Sequence, residues 1–129
     1  MMVLMARHRI LVVEDDPAVR RMYRTALGFA GFTVVEAEDG LSALQQLEDR
    51  APDLVILDLM LPTVSGLIVQ QEIAAHAHTR DIPIVIVTGS EMNLDDLAVP
   101  CVLRKPVSPD QLLNTVESCL NSGASITHH

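Results

Sequence analysis

Residues 52–62 read Pro52-Asp53-Leu54-Val55-Ile56-Leu57-Asp58-Leu59-Met60-Leu61-Pro62. Four aliphatic residues, Leu54 to Leu57, stand together with no polar residue alternating among them. A strand with one wet face alternates, so this run reads as a strand covered on both faces, the pattern of a parallel sheet. Three more runs share its character: Ile10-Leu11-Val12-Val13, Ile84-Val85-Ile86-Val87 and, more weakly, Cys101-Val102-Leu103. Thr33-Val34-Val35-Glu36-Ala37 alternates more and reads as an edge strand.

Helical patterns lie between the strands. Asp16-Pro17 pairs a capping residue with a proline at the first helical position, and Val19, Met22, Tyr23, Ala26 and Leu27 follow at helical spacing. Gly28 to Gly31 ends that helix. A second pattern follows Asp39-Gly40 through Leu41, Leu44 and Leu47. A third follows Gly66 through Leu67, Ile68, Gln71, Ala74 and Ala75. Ser108-Pro109 opens the last, which carries Leu112, Leu113, Val116 and Leu120. Between Glu91 and Ala98 the pattern supports one short turn that Pro100 closes. The order is β-α repeated five times. It predicts an α/β fold: a doubly wound, five-stranded parallel sheet with helices on both faces, the fourth helix shortened.

The 129 residues suit one domain, read here as 9–121, with an extension at 1–8 and a flexible tail at 122–129 ending in a tag-like histidine pair. A net charge of -8 argues against direct binding to nucleic acid or to an anionic membrane. Tyr23, Phe29 and Phe32 are the only aromatic residues, too few for a base-stacking platform. No apolar run approaches the roughly eighteen residues of a membrane span. Cys101 and Cys119 make no disulfide framework and read as reduced thiols of a cytoplasmic protein. His76 and His78, two apart, would not share a helix face and make a poor metal pair.

Ligands of such sheets bind at the carboxyl ends of the strands. The first strand ends in Glu14-Asp15-Asp16, the third in Asp58, the fourth in Thr88-Gly89-Ser90 and the fifth in Arg104-Lys105-Pro106. A lone acid after a strand is usually a solvated turn or a helix cap, and Asp16 fits that description. Asp58 does not, because Leu57, Leu59, Met60 and Leu61 surround it and a carboxylate among them needs a partner. A parallel sheet brings Glu14, Asp15 and Asp58 to one edge. Two carboxylates about 4 Å apart repel by about 4 kcal/mol at an effective dielectric near 20. A Mg²⁺ ion held by few carboxylates and several waters relieves this. Lys105 and Thr88 remain to bind something negative. These are the parts of an aspartyl-phosphate site.

The chain resembles a response-regulator receiver domain of two-component signalling, from about Arg9 to Leu120. The resemblance rests on Val12-Val13-Glu14-Asp15-Asp16, on Pro52 to Asp58, on the spacing of Asp58, Pro62 and Gly66, on Val87-Thr88-Gly89 and on Lys105-Pro106. It implies the flavodoxin-like strand order 2-1-3-4-5. It implies that Asp58 accepts a phosphoryl group from a phosphohistidine of a sensor histidine kinase or phosphotransfer protein. Mg²⁺ would be held by Asp15, Asp58 and the Met60 backbone carbonyl, with Glu14 acting mostly through water. Lys105 would pair with Asp58 and then with the phosphoryl oxygens, and Thr88 would move to the phosphoryl group. Gly89 would leave room for it, Lys105-Pro106 would be cis, and Met60 and Ser90 would line its access. The domain would then signal to a downstream protein by a change of conformation, catalysing only its own phosphorylation and dephosphorylation.

The sequence departs from the family at Val102, where Tyr or Phe is usual, at Val107, where Phe is usual, and in the shortened stretch from Thr88 to Lys105. All three are expected on the face where many receivers meet partners. With no ring at Val102 to swing, the response to phosphorylation is expected in the loop from Gly89 to Pro100. Two other functions compete. One is a phosphorylation-independent adaptor on the same fold. The other is an Asp-nucleophile phosphohydrolase, which usually carries a second Asp two residues on, where this chain has Met60.

Overall fold

The computed structural model describes residues 8–89 and 101–126. Five strands, β1 (Arg9–Val13), β2 (Thr33–Ala37), β3 (Leu54–Asp58), β4 (Ile84–Thr88) and β5 (Cys101–Arg104), form one sheet in the order β2-β1-β3-β4-β5. Every neighbouring pair is parallel. The helices among the described residues are α1 (Pro17–Phe29), α2 (Gly40–Asp49), α3 (Gly66–Ala75) and α4 (Pro109–Ile126). The shortened fourth helix read between Glu91 and Ala98 lies outside the described residues, as do Ser90 and the loop up to Pro100. The last helix continues to Ile126, past residue 122 where the sequence reading starts a tail.

Strand alternation explains the two layers. Ile10, Val12, Leu54, Ile56, Val85 and Val87 face Tyr23 and Leu27 of α1 and Leu112, Val116 and Cys119 of α4. Leu11, Val13, Val55, Leu57 and Ile86 face Ala43 and Leu47 of α2 and Val69 and Ile73 of α3. The central strands β3 and β4 are buried along their whole length, whereas the edge strands β2 and β5 are only partly covered. Val107 corrects an expectation: it is not on a partner face but buried in the first layer with Leu112 and Val116. Cys101 and Cys119 are both free thiols. Burial, with Cys101 alongside, pushes the Cys119 thiol up to about 12.

Helix starts follow the capping residues. Asp16 Oδ1 accepts the Ala18 and Val19 N–H groups at 2.9 and 3.3 Å. Asp39 Oδ1 accepts the Ser42 N–H at 2.7 Å. Ser108 and Gln111 cap reciprocally, Oγ accepting the Gln111 N–H at 3.1 Å and Oε1 accepting the Ser108 N–H at 2.9 Å. Gly66, part of the motif spacing, has a direct steric reason. A Cβ there would overlap the Asp58 carbonyl oxygen and lie 2.6 Å from the Leu59 Cα. The start of α3 therefore presses against the end of β3, and the Gly66 N–H donates to the Leu59 carbonyl at 3.1 Å.

Candidate functional site

All strands being parallel, Val13, Asp58, Thr88 and Arg104 end on one edge, and the residues after them share it. Asp58 sits in register with Val87, and Thr88 with Arg104. A cleft of about 460 Å³ opens there, lined by Glu14, Asp15, Asp16, Asp58, Met60, Gly89 and Lys105. Glu14, Asp15 and Asp58 each offer one oxygen, and the three lie within 4.8 Å of one another. Glu14 and Asp58 are buried, at 1% and 3% exposure, and Asp15 is exposed.

Lys105 is the cation of the cleft. Its Nζ donates to Asp58 Oδ2 at 2.8 Å and stands 2.8 Å from Glu14 Oε1. The second contact is an ion pair, and among the described residues the ammonium is the one group that meets the buried Glu14 Oε1. The other oxygens are held. Asp58 Oδ1 accepts the Met60 N–H at 2.9 Å, and Glu14 Oε2 accepts the Asp16 N–H at 3.0 Å. The Lys105 N–H donates to the Thr88 carbonyl at 3.0 Å, which ties β5's exit to β4. The Lys105–Pro106 peptide is cis.

Electrostatics agree with the geometry. Burial pushes the Glu14 carboxyl above its ordinary value, and the negative charge of Asp58 adds to this against the opposing pull of Lys105 and the Asp16 N–H. Burial works to lower Lys105, yet Asp58 and Glu14 outweigh it and hold the ammonium above its usual range. Tyr23, buried in the first core layer, feels the charges of the cleft. Burial, then the charge of Glu14, pushes its phenol up to about 12. Three carboxylate oxygens within 4.8 Å of one another, served by a single ammonium, are a donor set that a hard, oxygen-seeking divalent cation suits, so the residues present fit Mg²⁺.

The structure brings Glu14, Asp15, Asp58, Met60, Gly89 and Lys105 together as the sequence places them. Thr88 sits fully buried at the end of β4 and does not line the cleft. Val102 is half-buried on β5, against the α2–α3 layer, and Ser90 lies outside the described residues. Met60, where a phosphohydrolase would carry its second acid, is 67% exposed and has no proton to give. Arg20 was missed. Its guanidinium donates to the Glu14 carbonyl at 2.8 Å and pairs with Glu36 at 3.1 Å, fixing the loop that carries the acidic pair. The signal was a basic residue one turn into the helix that follows that loop.

The response regulator receiver domain family matches residues 10–117. The chain is 41% identical, over 126 residues, to the phosphate regulon transcriptional regulatory protein PhoB of Klebsiella pneumoniae, covering 90% of this chain and 52% of that protein. The chain thus spans about half the length of the curated relatives it matches. A CheY-like response regulator receiver domain protein from Methanospirillum hungatei superposes with a TM-score of 0.85 at 25% identity, over 93% of this chain and 98% of that one. The bacteriophytochrome response regulator AtBRR superposes with a TM-score of 0.77 at 33% identity, over 88% and 93%. Receiver domains are signalling modules of two-component systems, phosphorylated by histidine kinases and binding Mg²⁺ in an acidic pocket. Among the described residues no helix is long and apolar enough to cross a membrane. In its strand order, in the residues at its strand ends and along most of its length, this chain belongs to the response regulator receiver domain family.

Proposed function

We propose that Asp58 is the phosphoacceptor of this domain, taking its phosphoryl group from the phosphohistidine of a sensor histidine kinase or phosphotransfer protein in the cytoplasm. A carboxylate oxygen of Asp58 forms the new bond to phosphorus as the bond to the histidine nitrogen breaks. Glu14, Asp15, Asp58 and the Met60 carbonyl would hold Mg²⁺, which when bound neutralises charge on the phosphoryl oxygens. Lys105 starts on Asp58 and moves to a phosphoryl oxygen, while buried Glu14 keeps the ammonium in the cleft. Thr88, one residue before the cleft at Gly89, turns its hydroxyl toward the new charge. Gly89 supports this reading in a specific way. Among the described residues, a Cβ there would meet Lys105 Cβ as its nearest atom, at 3.9 Å, an ordinary van der Waals contact. Met60, which lines the cleft, sets how readily water reaches the acyl phosphate. The change of conformation is passed to a downstream protein by contact, with no nucleic acid bound by this domain.

The observation that carries the proposal is Lys105, one cation shared at 2.8 Å by two buried carboxylates from different strand ends. Incubation with acetyl phosphate and Mg²⁺ tests it by intact mass. One phosphoryl adduct is expected in the wild type and none in Asp58→Asn. An adduct that survives in Asp58→Asn, or none in the wild type, refutes it.

A further inference from the structure

We propose that Cys101 and Cys119 are a redox-sensitive pair, which a peroxide-class oxidant joins in a reversible disulfide that staples edge strand β5 to α4. Both are free thiols in the structure. Their meeting follows from the fold. Along β5, Cys101 and Leu103 face the first core layer and Val102 faces the other. Along α4, Leu112, Val116 and Cys119 share the face turned into that same first layer. α4 begins at the sheet edge where β5 ends and returns across the layer. A late residue of the helix therefore comes over the first residue of the strand, and the two side chains meet in a hydrogen bond.

The two thiols differ in a way that orders the chemistry. Cys101 opens an edge strand, in register with Val85, and is half-buried, so a small oxidant reaches it. Cys119 is 1% exposed, which leaves its neighbour Cys101 as the sulfur it can join. Burial, then the contact with Cys101, pushes the Cys119 thiol up to about 12 and keeps it protonated, a poor target for direct oxidation. The pair lies at the opposite end of β5 from Lys105, outside the phosphoryl cleft.

Oxidation runs in two steps. The Cys101 sulfur takes one oxygen from hydrogen peroxide as the O–O bond breaks, giving a sulfenic acid and one water. The Cys119 sulfur then bonds to the Cys101 sulfur, the S–O bond breaks, and the departing hydroxyl takes the Cys119 proton as a second water. Two thiols are oxidised and one peroxide is reduced. A thiol already in contact intercepts the sulfenic acid before further peroxide drives it to sulfinic acid. A dithiol reverses the bond by exchange. The bond closes the short loop between positions 101 and 119, and without strain it raises Tm by about 10 °C. A bond that forces the strand and helix out of place lowers Tm instead.

The test treats the full chain with hydrogen peroxide, denatures it, alkylates free thiols with iodoacetamide and maps the cysteine peptides by mass. Counting on those peptides keeps methionine oxidation out of the result. The expected product is a monomer with the two cysteine peptides linked and neither alkylated, which dithiothreitol returns to two alkylated thiols. Its Tm should rise on oxidation and fall back on reduction. In Cys119→Ala the same peroxide should carry Cys101 on to sulfinic acid. In Cys101→Ser, Cys119 should remain alkylatable; Cys101 is half-buried at an edge, so this variant serves if Cys119→Ala does not fold. A wild type that keeps both thiols, that carries a Cys101 sulfinic acid beside a free Cys119, or that links two chains overturns the proposal. Oxidation of Cys119 in Cys101→Ser overturns the order of steps, and a linked pair with a lower Tm overturns the fit to the native packing.

Discussion

Asp15→Asn isolates the repulsion in the cleft. Asp15 is exposed, so an isosteric amide there disturbs no packing. Its carboxylate oxygen lies within 4.8 Å of oxygens of both Glu14 and Asp58. At that distance each repulsion is about 0.9 kcal/mol in water and about 3.5 kcal/mol at an effective dielectric of 20. Asp15 faces solvent while its two neighbours are buried, so the true values lie between. The Lys105 ammonium already serves those two buried carboxylates and offsets about one of the repulsions. Removing the Asp15 charge should therefore stabilise the metal-free protein by about 1–3 kcal/mol, which is about 3–10 °C in Tm for a domain of this size. In the wild type, Mg²⁺ should supply the same relief by binding, about 2.7 kcal/mol at a hundredfold excess over its dissociation constant. The assay is thermal unfolding of both proteins in chelator and in millimolar Mg²⁺. The wild type should gain from Mg²⁺, and Asp15→Asn should start higher and gain much less. If Asp15→Asn melts lower than the wild type in chelator, or if the wild type ignores Mg²⁺, the repulsion argument fails.

Glu14 makes a pH prediction. Its folded value is raised, so the native state binds its proton more tightly than the unfolded chain, whose value is near 4.5. Its ionisation therefore opposes folding: the penalty is absent below pH 4.5 and grows as pH rises through the folded value. Chelator melts of Glu14→Gln and the wild type should diverge over that window in favour of Gln, and parallel curves would contradict the assignment. Gly66→Ala should destabilise by about 2 kcal/mol or more, because the new Cβ meets backbone rather than a side chain that can turn aside; urea unfolding measures it. Gly89→Ala should leave the urea midpoint nearly unchanged yet slow the reaction with acetyl phosphate, since among the described residues its Cβ makes only an ordinary contact at 3.9 Å but occupies the proposed phosphoryl site. A normal rate in Gly89→Ala would show that this space is not used.

Local physics made much of this protein legible without coordinates. Leu54 to Leu57 reads as a strand covered on both faces, and the alternation at Thr33 to Ala37 reads as an edge strand. Both follow from the two-residue period of a strand and from the need to hide aliphatic surface. Asp16, Asp39 and Ser108 announced helix starts because a side-chain oxygen before a helix meets its unpaired N–H groups. Parallel order followed in turn, and with it the meeting of Glu14, Asp15, Asp58 and Lys105 at one edge. Gly66 was visible as a motif position, but the overlap with the Asp58 carbonyl that requires it was not.

What the sequence could not decide involves pairs far apart in the chain or breaks in a local pattern. Lys105 reaches Asp58 and Glu14 at equal distance only because β5 is tied to β4 by the Lys105 N–H and the Thr88 carbonyl. Arg20 acts on the Glu14 carbonyl across a loop whose path depends on the capped start of α1. Val107 reads as surface until α4 packs over it. Helical spacing sets His76 and His78 apart, but α3 ends at Ala75 and their rings meet edge to face with centroids 6.0 Å apart. The sequence by itself determined the elements, their order and the edge where the acids gather, because those depend on neighbours in the chain and on burial. Only the tertiary structure decided which oxygens are satisfied, which glycine is sterically required and which histidines meet. Those outcomes depend on distances of a few ångströms between segments, and chain spacing carries no such information.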